Sequence, residues 1–144
     1  MRRMSRARWL PRLAVAGALG LGAAGCETFT PSTCDRSPEG NPLVRYTDGT
    51  VADGVYTTSG WDGELLYFPG GMRYSLVHKL PARPRWVTSY LSFDEHGTID
   101  GGVLAQATGN QVVIQGVDDD AVRIANDSCV DYWIMVTAGG AAAP

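Results

Sequence analysis

Few side chains in this sequence have the type and spacing to do chemistry. Its two histidines are His78 and His96, and with Asp94 or Glu95 they could supply zinc ligands. They lack the helix or ribbon spacing that zinc sites use, so ordinary polar strand or turn positions are the expectation. The three consecutive carboxylates Asp118-Asp119-Asp120 could hold calcium with loop carbonyls. Calcium loops alternate their ligands, and three successive aspartates read as a solvated hairpin turn. There is no GxSxG and no pairing of histidine with serine in a nucleophile motif, so catalytic residues and cofactors are not expected. No two cysteines have the two-to-four residue spacing of a zinc site. Trp61, in a glycine-bounded loop beside Asp62, is the best binding candidate: an indole in a loop can stack on a sugar or on a partner side chain, or fold back over the domain.

The first 26 residues carry a different kind of signal. Arg2, Arg3, Arg6, Arg8 and Arg12 form a positive start, and the apolar stretch from Leu13 to Ala24 has the ~7–15 residue length of a secretory h-region. It is too short for a bilayer span, which needs ~20 apolar residues. Arg2-Arg3 lacks the following apolar pair of a twin-arginine signal. The tetrapeptide Ala23-Ala24-Gly25-Cys26 ends this segment and resembles the box of a bacterial lipoprotein signal peptide, although leucine is commoner where Ala23 stands. The resemblance implies diacylglycerol on the Cys26 sulfur, cleavage of residues 1–25 and a lipid-anchored envelope protein. Glu27 follows instead of aspartate, which is similar to the default outer-membrane sorting pattern in two-membrane bacteria.

Setting Cys26 aside for lipidation leaves Cys34 and Cys129, an even pair suited to an oxidising compartment. A disulfide between them is the expectation, with two separately buried thiols as the alternative. Charge divides the chain at the same place. Five of the 12 Lys and Arg precede Cys26 and all 15 Asp and Glu follow it, so the mature part is strongly acidic. Such a surface repels phosphates, which excludes nucleic acid as the expected partner and leaves membrane attachment to the acyl chains.

Residues 26–43 are rich in proline and small polar residues and read as a lipidated tether. The eight steps from Cys26 to Cys34 span at most ~26 Å. Residues 44–138 form the expected single domain, and 139–144 a fraying tail. Within the domain, short runs separated by turn clusters predict about eight strands, at 54–58, 64–68, 72–80, 86–93, 103–107, 111–117, 121–125 and 129–137. Met72, Tyr74, Leu76 and His78 should share one face of their strand, and Val87, Leu91 and Phe93 one face of theirs. Trp86 and Trp133 are expected in the core or on a sheet face. Asn126-Asp127-Ser128 matches a glycosylation sequon but reads as a bend leading to Cys129. The pattern predicts an all-β antiparallel sandwich, with a small barrel as the alternative.

The run LVHKLPARPRWVTSYLSF, a strand, a proline-bounded bend and a strand ending in an aromatic, is similar to H-type lectin and phage tail-fibre sandwich domains, over Tyr74 to Val136 at most. This implies a sandwich that binds sugars or proteins through its loops and transfers no ligand residue. The expected function is therefore a membrane-anchored, non-catalytic binding or envelope-structural domain with a glycan or protein partner. A small hydrolase or metal-dependent enzyme is the rival.

Overall fold

A computed structural model describes residues 34–140. Ten strands follow in order: β1 (Val44–Tyr46), β2 (Thr50–Ala52), β3 (Val55–Thr57), β4 (Leu66–Phe68), β5 (Arg73–Val77), β6 (Trp86–Ser92), β7 (Ala105–Gln106), β8 (Val113–Val117), β9 (Ala121–Ala125) and β10 (Tyr132–Gly139). Two short 3-10 turns, Ile99–Gly101 and Gly109–Gln111, flank β7. The four-stranded sheet has the order β1-β5-β9-β8, and the larger sheet runs β2-β3-β10-β6-β7 with β4 also paired to β10. Neither closes into a barrel, so the molecule is an all-β sandwich.

Eight of the strands fall where turn-bounded apolar runs predict them. β1 and β2 do not, because each has only three residues, too few for an alternation to register in sequence. β1 also pairs in parallel with β5, Val44 opposite Tyr74, which is the one departure from antiparallel pairing.

The core lies between the sheets. On β10 the period of two puts Ile134, Val136 and Ala138 inward and fully buried, opposite Leu91, Ser89 and Val87 of β6. From the facing sheet come Leu76, Val122 and Ile124, and Tyr56 and Phe68 are fully buried with them. Burial of side chains this large stabilises by roughly 1.5–3 kcal/mol each. As expected, Tyr74, Leu76 and His78 are buried together. Ser75 and Val77 on the opposite face are also buried, and Ser75 lies in register between Arg45 and Arg123, whose long stems flank it.

Two boundary positions differ from the sequence reading. Phe93 does not share the inward face of Val87 and Leu91: it is 81% exposed. β6 ends at Ser92, whose hydroxyl accepts the Asp94 N–H at 2.9 Å, and this turn carries Phe93 out of the sheet. Gly139, placed by sequence in the tail, is the last residue of β10, paired with both Val55 and Trp86. A Cβ on it would lie 2.6 Å from the Trp86 indole, so glycine is what lets that ring lie across the strand.

Candidate binding surface

The outward positions of β10 organise the aromatic surface. Trp133 lies opposite Tyr67 of β4 and the buried Ser92 of β6, Met135, itself buried, opposite Tyr90, Thr137 opposite Thr57 and Thr88, and Gly139 opposite Trp86. Successive outward positions are about 6.6 Å apart along the strand. The Trp133 and Tyr67 rings meet at 4.9 Å with a 50° tilt. One step further, Trp61 reaches in from its loop to meet Tyr90 edge-on, with centroids 5.1 Å apart.

The loop that presents Trp61 is held at both ends. Gly63 N–H donates to the Gly60 carbonyl, closing a tight turn, and Leu65 N–H donates to the Glu95 carbonyl at 2.8 Å. Leu65 is buried, whereas Trp61 stays 55% exposed. Trp61 therefore folds back onto the sheet through one ring edge and still offers its indole to solvent. Asp62 beside it is exposed.

Tyr67 is fixed by a carboxylate. Its hydroxyl donates to Asp131 Oδ2 at 3.1 Å, and Asp131 Oδ1 accepts the Gly70 N–H at 2.9 Å. The hydrogen bond to Asp131 is the main cause holding the phenol above the ordinary tyrosine range. Two aromatic pairs, in which Trp61 and Tyr67 are exposed and Tyr90 and Trp133 half-buried, lie near Thr88 and Asp131 and can stack on the C–H face of a sugar ring or on apolar and cationic protein side chains. Sequence reading found Trp61 and placed Trp133 and Trp86 on strands. It could not show that Tyr67, Tyr90 and Trp133 share a surface, because that depends on which strands are neighbours.

The other chemical candidates are dispersed. His78 is fully buried: Leu80 N–H donates to its Nδ1 at 3.0 Å, and Nε2 lies 3.0 Å from the Asp118 carbonyl, the arrangement of the Nε2–H tautomer. His96 is exposed, its Nδ1 3.8 Å from Asp94 Oδ1 in the loop after β6. Among the described residues no three His, Cys, Asp or Glu side chains group as metal ligands. The aspartate triplet forms the turn between β8 and β9, and each carboxylate has its own partner. Asp118 accepts the Asp120 and Ala121 N–H groups and pairs with Arg123 at 2.7 Å, Asp119 accepts the Arg83 N–H, and Asp120 pairs with Arg45. The two backbone donors, then Arg123, pull the Asp118 carboxyl down to about 2.

The disulfide Cys34–Cys129 is present, with Cα atoms 5.4 Å apart. It lays the start of the described chain against the domain, where Arg36 donates to the Asp127 carbonyl at 2.9 Å. Arg36 and Arg73 line a polar cavity of about 230 Å³ there, with Arg73 donating to Gln115. Asn126 is buried; its amide donates to the Phe68 and Val130 carbonyls while its Oδ1 accepts from Ser128. This side chain is the clasp that bends the chain into Cys129. Cys26 and the segment from 1 to 33 lie outside the described residues. Among those described, no helix is long and apolar enough to cross a membrane. No family model, curated protein or solved structure matches the chain.

Proposed function

We propose that this protein is an envelope lipoprotein, acylated on Cys26, whose sandwich binds a glycan or protein partner without catalysing a reaction. The observation that carries the binding part is two aromatic contacts on the outer face of the larger sheet, each with one exposed ring on a half-buried one: Trp61 on Tyr90 and Tyr67 on Trp133. Aromatic rings are enriched in recognition surfaces, since each buries a large area at little conformational cost. The anchor rests on the sequence box ending at Cys26, and the disulfide agrees with export to an oxidising compartment. In a two-membrane bacterium the absence of aspartate after Cys26, where Glu27 stands, resembles the default outer-membrane sorting pattern and supports that destination.

Trp61→Ala tests the binding surface. With the indole more than half exposed, its loss should cost about 1 kcal/mol, the scale of one edge-to-face contact, and not the ~3–5 kcal/mol of a buried aromatic. Binding on a glycan array or in a pull-down from envelope extract should fall strongly. Unchanged binding in both assays would place the partner surface elsewhere, and a large drop in melting temperature would make Trp61 a core residue.

A further inference from the structure

We infer that one end of the sandwich, the end carrying the disulfide, seats against the lipid surface, with Phe93 and Val103 entering its interfacial layer. This rests on the acylation reading above and adds the orientation in which the domain is held.

β10 starts at this end with Tyr132, three residues after Cys129, and β6 arrives there at Ser92. Phe93 emerges beyond it, 5.4 Å from the Tyr132 ring. β7 begins its pairing at Ala105 opposite Leu91, so Val103 precedes it on the same side. Phe93 and Val103 line one apolar cavity of about 130 Å³ together with Tyr132. At 81% and 73%, they are the two most exposed large apolar side chains of the described residues. Val130, next to the disulfide, and Leu43, just before β1, add two more exposed apolar side chains at that end.

The occupant follows from where the chain goes. Cys34 is stapled to Cys129 at this end, and the eight steps back to Cys26 reach at most ~26 Å. An acyl group on Cys26 therefore keeps this end nearest the bilayer, and apolar side chains exposed there leave water by dipping into the interface. The neighbouring Asp94, Glu95, Asp127 and Asp131 oppose anionic lipid, so the attraction is apolar and favours neutral headgroups.

The test uses the mature acylated protein, purified from membranes and reconstituted into phosphatidylcholine vesicles, with and without nitroxide on the upper acyl chain. Phe93→Trp adds one reporter to the native tryptophans. Arg83→Trp, in the exposed loop near Gly139, reports from the opposite end. The expected result is a blue shift and loss of most of the added Phe93→Trp fluorescence to nitroxide lipid, with the Arg83→Trp signal unquenched. If Phe93→Trp lowers the melting temperature, Val103→Trp replaces it. Equal quenching at both ends, quenching that requires added phosphatidylglycerol, or a blue shift without quenching would each overturn the proposal, the last pointing to a second copy or a protein as the occupant. Intact mass of the same sample reads acylation separately, so an unmodified Cys26 would defeat the anchor reading and not be confused with the wrong orientation.

Discussion

At the residue scale, the side chains that look most chemical in sequence turn out to be occupied with structure. His78 spans from Leu80 N–H to the Asp118 carbonyl, and Asn126 ties its own bend, at Ser128 and Val130, to Phe68 with one amide. Asn126→Ala should cost about 1–3 kcal/mol in urea unfolding, because it strands the buried Phe68 carbonyl and removes the bonds that hold the bend at Ser128 and Val130. A loss under about 0.5 kcal/mol would contradict the clasp. Asp118 gives a prediction in pH. Its carboxyl titrates lower in the folded state than in the unfolded chain, so the stability it adds is full above about pH 4 and disappears as pH falls toward 2. Asp118→Asn keeps an acceptor for the turn but cannot titrate, and the gap in stability between wild type and variant should therefore close as pH falls from about 4 to about 2. A gap constant over that window would mean that the carboxylate's partners do not favour its charged form. The turn role of the triplet was legible in sequence, because consecutive side chains diverge. The burial of His78 was only half legible: alternation put it with Tyr74 and Leu76, and its Nδ1 partner Leu80 N–H is two residues on, but the Asp118 carbonyl that its Nε2 meets comes from a turn forty residues away.

At the element scale, strand alternation and turn residues sufficed for the sandwich, and they failed where elements are short or where their ends are decided by a neighbour. β1 and β2 have no periodic signature at three residues, and the parallel seating of β1 on β5 is a tertiary choice. The end of β10 at Gly139 is set by Trp86 across the sheet. Gly139→Ala should cost about 1–3 kcal/mol as the indole is displaced, with little change in the spectroscopic signature of Trp61. A neutral substitution would mean that Trp86 moves freely off the strand. The aromatic surface was illegible for the same reason: Trp133, Tyr67 and Tyr90 come from three strands, and only the register of β10 with β4 and β6 sets them side by side.

At the scale of the whole molecule, the acidic domain, the disulfide and the aromatic surface suit an anchored binding module. The disulfide joins residues 95 apart in sequence and constrains nearly the whole domain. By chain entropy such a link adds up to about 4–5 kcal/mol, so reduction should lower the melting temperature substantially. An unchanged melt with fully alkylated Cys34 and Cys129 would show that the link is dispensable. The pairing was anticipated only by setting Cys26 aside, so the disulfide and the anchor reading stand close together in logic while needing separate tests. The most direct test of the account is the intact mass of the protein extracted from its membrane. The account predicts a chain beginning at Cys26 and carrying diacylglycerol on that sulfur, with the modification lost in Cys26→Ser. A mature chain with a free Cys26 thiol, or one cut at another position, would contradict it.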